Sequence, residues 1–104
     1  MEFTGEEKHS ISLTDASKLT EAYREAEGGE AILGGYFSKS ALSAILNQAS
    51  CIGIRYYYGI DESNNPRIIL AGVDGEGDDI YEGELAEIAI QCPPFCPKSN
   101  PLNS

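Results

Sequence analysis

The spacing of hydrophobic positions changes several times along the chain, and each change marks an element. Leu13, Ala16, Leu19, Ala22, Tyr23 and Ala26 recur at steps of three and four, the spacing that puts side chains on one face of an α-helix. Ser12 followed by Asp15 forms a capping box with Asp in place of the usual Glu or Gln, and Gly28-Gly29 ends the helix. A short strand is expected over 31–37, where Gly34-Gly35 marks a bulge or a close backbone approach. A second helix starts at Ser38 or Ser40 and runs to about Gln48, turning Leu42, Ile45, Leu46 and Ala49 inward.

The period then drops to two. Over 51–60, Ile52, Ile54, Tyr56 and Tyr58 share one strand face, while Gly53, Arg55 and Tyr57 take the other. Residues 61–66 read as a loop, and the apolar run 67–73 as the second strand of a hairpin. Residues 74–79 form another turn. Over 80–91 both periods fit: Tyr81, Leu85, Ile88 and Ala89 have helical spacing, Ile88 and Ile90 that of a strand. The expectation there is a third antiparallel strand near Ile80 and Tyr81, then irregular or short helical structure. Residues 92–104 hold four of the five prolines and read as a turn followed by a loose tail.

These elements predict an α+β fold, with two helices packed on one face of a small, mainly antiparallel sheet of three to four strands. The expected divisions are a flexible or edge segment at 1–10, a single domain at 11–97 and a loose tail at 98–104. The expected core comprises Leu13, Leu19, Tyr23, Leu42, Ile45, Leu46, Ile52, Ile54, Ile68 and Leu70, with Tyr56 and Tyr58 on the same apolar strand face.

Charge narrows the partners. Seventeen acids against seven bases give a net charge of −10, a field that disfavours nucleic acid and anionic membranes and permits basic proteins or cations. No apolar run approaches the ~18 residues of a membrane span, and the acidic start does not resemble a signal peptide. With Met1 as the native start, the cytoplasm is the expected compartment and the three cysteines are expected to be reduced.

The sharpest chemical feature is Cys92-Pro93-Pro94-Phe95-Cys96. Its spacing suits half of a structural zinc site, but a full site of Cys51, Cys92, Cys96 and His9 would use every soft or imidazole donor in the chain. A disulfide needs the Cα atoms within roughly 4.4–6.8 Å, whereas polyproline II would hold them about 12 Å apart. A structural turn with Phe95 packed on the sheet demands least. Cys51 and His9 could meet as a dyad, although a strand cysteine is commonly a small buried hydrophobe. The acidic turn at 74–79 suggests a cation, yet Asp79 and Leu85 stand where an EF-hand requires Gly and Glu. The glycines at 72, 75 and 77 lack the order of a dinucleotide cradle. Arg55 and Tyr57, on one strand face, are residue types favoured at protein interfaces.

Residues 12–26, Gly53-Ile54-Arg55-Tyr56-Tyr57-Tyr58-Gly59, Ala71-Gly72-Val73-Asp74 and the Cys-Pro-Pro-Phe-Cys ending together resemble a set of short uncharacterised Bacteroidota proteins. The resemblance implies a bacterial source and carries no activity, cofactor or site residue with it.

No catalytic constellation is evident and no cofactor is expected. The leading expectation is a non-enzymatic interaction or assembly protein, pairing with a partner protein or with itself through a sheet edge or the Arg55 and Tyr57 face. The alternatives are a thiol or metal protein using Cys92 and Cys96, and an acidic inhibitor that mimics nucleic acid.

Overall fold

The computed structural model describes residues 1–87 and 90–104. The fold is α+β, as expected, but the strands form two antiparallel sheets and the chain divides into two compact units where one domain was expected at 11–97. One unit comprises Met1–Glu7 with Phe37–Ala89, the other Lys8–Tyr36 with Ile90–Ser104.

The first unit is built on helix α2 (Lys39–Leu46) and strands β2 (Gly53–Ile60), β3 (Pro66–Val73) and β4 (Asp79–Glu87), in the order β2-β3-β4. Ser38 caps α2, its hydroxyl accepting from the Ala41 amide at 3.1 Å. The β2–β3 hairpin runs in continuous register from Gly53 opposite Val73 to Ile60 opposite Pro66. Between β3 and β4 the register shifts: Ala71 faces Leu85, whereas Gly72 faces Ile80. The side chain of Gln48 fills this bulge, its Oε1 accepting from the Glu84 amide at 2.8 Å while its Nε2 donates to the Ile45 carbonyl at 2.9 Å. Gly72 and Gly83 make room for it. A Cβ on Gly72 would lie 2.9 Å from Gln48 Nε2 and 3.0 Å from Cys51 Sγ, and one on Gly83 would collide with Gln48 Oε1.

Within this unit α2 packs on the three-stranded sheet, mainly over β4. Ile45 and Leu70 are buried, and Leu42, Ile52, Ile54 and Ile68 are half-buried. Leu46, expected inside, is exposed. So are Tyr56 and Tyr58, because α2 is shorter than the strands it covers: eight residues span ~12 Å as a helix but about 27 Å as a strand. The chain start is anchored: the Phe3 amide donates to the Gly75 carbonyl at 3.0 Å, and the carboxylate of Glu7 accepts from the amides of Thr4 and Gly5. Those amides hold the Glu7 carboxyl below its usual range, Thr4 contributing most.

The second unit contains α1 (Leu13–Glu27) and the pair β1 (Gly34–Tyr36) and β5 (Ile90–Cys92). Ser12 caps α1 by accepting from the Asp15 amide at 3.0 Å, and Gly28 ends it at φ 85°, a left-handed conformation that suits glycine. No residue of α1 is buried. Leu13, Leu19 and Tyr23 of this helix, expected in the core, are exposed. Its companions are Leu33 and Leu102, and Arg24 Nη1 donates to the Leu102 carbonyl at 2.9 Å. The expected loose tail is a hydrogen-bonded turn, in which Asn100 and Asn103 bond backbone groups between Lys98 and Leu102. The stretch expected to be irregular after Tyr81 is mostly strand, β4 continuing to Glu87 and β5 following from Ile90. Ile88 and Ala89, which fitted both periods, lie outside the described residues.

Candidate functional site

Alternation along β2 sends Arg55 and Tyr57 to the sheet face away from α2. There both reach Asp79 at the start of β4: Arg55 Nη1 donates to Asp79 Oδ1 at 2.6 Å, and the Tyr57 hydroxyl donates to Asp79 Oδ2. The same Arg55 nitrogen donates to the Gly77 carbonyl at 3.1 Å, and the guanidinium lies 5.8 Å from the centre of the Phe3 ring. Two donors on one carboxylate hold the Asp79 carboxyl below its usual range, with the Tyr57 bond contributing most and Arg55 adding to it. The bond to Asp79 in turn pushes the Tyr57 phenol up. The expected Arg55 and Tyr57 pair is therefore together, but the arginine charge is satisfied internally. Tyr57 alone of the two keeps much of its ring in solvent.

Sequence reasoning missed the larger surface on the other face. Tyr56, Tyr58 and Ile60 are 58%, 80% and 71% exposed, and the rings of Tyr56 and Tyr58 meet edge to face at 5.5 Å between centroids. The available signal was the mismatch between an eight-residue helix and eight-residue strands. These side chains flank an open backbone edge, because β2 is the outer strand of its sheet. Ile60 stands opposite Pro66, which has no N–H, and the next pair is bonded, the Asp61 amide donating to the Asn65 carbonyl at 3.0 Å. Antiparallel ladders alternate bonded and non-bonded pairs, so Gly53, Arg55, Tyr57 and Gly59 turn their backbone groups to β3. Ile54, Tyr56, Tyr58 and Ile60 turn theirs outward. The loop beyond this edge is pinned by Asp61, whose carboxylate accepts from the Asn65 and Ser63 amides and pairs with Arg67 at 3.0 Å.

Cys92 and Cys96 are joined in a disulfide, with Cα atoms 4.6 Å apart and both the Cys92–Pro93 and Pro93–Pro94 bonds cis. The chain turns here instead of extending, and Phe95, expected to pack on a sheet, is exposed. Cys51 belongs to the other unit, where its thiol donates to the Gly53 carbonyl at 3.3 Å. His9 is exposed and belongs to the unit of Lys8–Tyr36 with Ile90–Ser104. Among the described residues, the one group of possible metal ligands within mutual reach is Asp74, Glu76 and Asp78, their ligand atoms within 4.8 Å of one another. Asp74 Oδ1 already accepts from the Glu76 and Asp78 amides at 2.9 and 3.1 Å, bonds that shape the turn itself.

No helix among the described residues is long and apolar enough to cross a membrane. The chain matches no protein-family model, no curated protein and no solved structure.

Proposed function

We propose that the three-stranded unit is a protein-interaction module that works by strand addition at the open edge of β2. The observation that carries this reading is the coincidence on one strand of outward backbone groups with the exposed side chains of Tyr56, Tyr58 and Ile60. Strand addition draws affinity from main-chain hydrogen bonds and selectivity from alternate side chains, and β2 offers both. Arg55, Tyr57 and Asp79 stiffen the strand from behind.

A photo-crosslinking residue at Tyr58 tests it in the producing cell, with one at Lys18 on α1 as the control. Adducts to an extended segment of a protein at Tyr58, and not at Lys18, are the expected result. Equal yields at the two positions would overturn the reading.

The thiol alternative now concerns a disulfide rather than a pair of free ligands. Such a bond persists in oxidising compartments, which counts against the cytoplasmic expectation.

A further inference from the structure

We propose that the occupant of the β2 edge is β2 of a second copy, antiparallel across a twofold axis at Tyr57. The proposal rests on the strand-addition reading and names its partner.

Charge separates the two edges of the sheet. The β4 edge carries Asp79, Glu82, Glu84 and Glu87, so two copies meeting there would set carboxylates against carboxylates in a protein of net charge −10. Strand β2 carries no acid, and its one charge, Arg55, is neutralised in place by Asp79. It also lacks the lysine, proline or bulge that commonly blunts an exposed edge. A basic partner would gain nothing from this strand, whereas a second β2 sets no carboxylate against a carboxylate at the seam.

Stereochemistry then selects the register. A twofold axis perpendicular to a continuous sheet pairs residues of like parity, because facing side chains share one side. Centred on Tyr57, Ile54 faces Ile60 and Tyr56 faces Tyr58. Every outward residue then meets another outward residue, giving about eight hydrogen bonds at two per facing pair. Arg55 falls opposite Gly59, which leaves its guanidinium free to stay on Asp79. Centring on Tyr56 instead sets Ile60 opposite Ile52, whose amide is already given to the Val73 carbonyl at 2.8 Å, and the ladder breaks there. The Tyr57 register also puts the most exposed apolar side chains of β2, those of Tyr58 and Ile60, beside apolar neighbours. The product is a six-stranded sheet with acidic strands at both ends.

Sedimentation equilibrium of the full chain over a range of concentrations tests the proposal, together with two variants. The wild type is expected to show a reversible dimer. Tyr58→Pro removes an outward N–H from each copy and leaves the bonds to β3 intact, so dimerisation should weaken at least about tenfold. Hydrogen exchange across β2 and β3 checks that this variant is folded. Independently of it, Tyr57→Cys in a Cys51→Ser background should join two chains under mild oxidation, since the twofold sets position 57 opposite itself in a non-bonded pair. Tyr56→Cys in that background should not. A wild type monomeric at every concentration, a folded Tyr58→Pro that still dimerises, or cross-linking at 56 in place of 57 would each overturn the proposal. A monomer whose position 58 still captures an extended segment of another protein defeats only the homodimer. A monomer without such adducts defeats the strand-addition reading as well.

Discussion

Ile45 and Leu19 occupy equivalent places in the helical pattern of the chain, yet truncating them should have very different consequences. Ile45 is 1% exposed, seated between α2 and the sheet with its Cγ2 3.4 Å from where a Cβ on Gly72 would stand. Ile45→Ala removes three carbon groups at about 0.8 kcal/mol each, or ~2.4 kcal/mol of transfer free energy. The void adds to that, because Gln48 and Cys51 are held by their own hydrogen bonds and cannot collapse freely into it. The expected loss is about 2–5 kcal/mol, a large part of the stability of a domain this small. Leu19 is 65% exposed, so Leu19→Ala forfeits under about 1 kcal/mol of burial, partly offset by alanine's better helix propensity. Urea unfolding followed by circular dichroism gives the two losses, and hydrogen exchange assigns each to its unit. An Ile45→Ala loss below about 1 kcal/mol, or no larger than that of Leu19→Ala, would refute the packing argument.

Two further outcomes follow from the polar contacts. The Asp79 carboxyl is lowered, so its contribution is present above the unfolded carboxylate pKa and is lost as pH falls through the lower folded value. Tyr57 is raised, so its contribution is present below the unfolded phenol value and is lost as pH rises through the folded one. Tyr57→Phe should therefore flatten the alkaline end of a stability–pH profile and remove one late component of the tyrosinate absorbance titration; an unchanged titration would count against the Asp79 bond. Thiol counting in denaturant without reductant should find only Cys51, and all three cysteines after reduction. Reduction should cost about 2 kcal/mol on chain-entropy grounds for so short a loop, read as a fall in the urea midpoint of the unit that contains β5.

Local structure was largely legible. Ser12 and Ser38 cap the helices predicted for them, the double glycine stops α1, and the alternation over 51–60 assigns Arg55 and Tyr57 to one face and Tyr56 and Tyr58 to the other. These features depend on neighbours within one or two turns, so composition and period carry them. The Asp79 contact was not visible, because it depends on a partner 22 residues from Tyr57 and 24 from Arg55.

Burial was the part that the chain alone could not reveal. Period says which side a residue takes, but whether that side is covered depends on how far a helix reaches across a sheet and on which unit it joins. The same stripe logic placed Leu19 and Ile45 in one core, and the fold separates them because α1 is not in the unit of the three-stranded sheet. Likewise the Cys-Pro-Pro-Phe-Cys spacing admitted an extended segment, a metal half-site or a bridge, and only the course of the backbone brings the two sulfurs together. The order β2-β3-β4, set by pairing between distant segments, leaves an aromatic strand without an acid at the edge of the sheet.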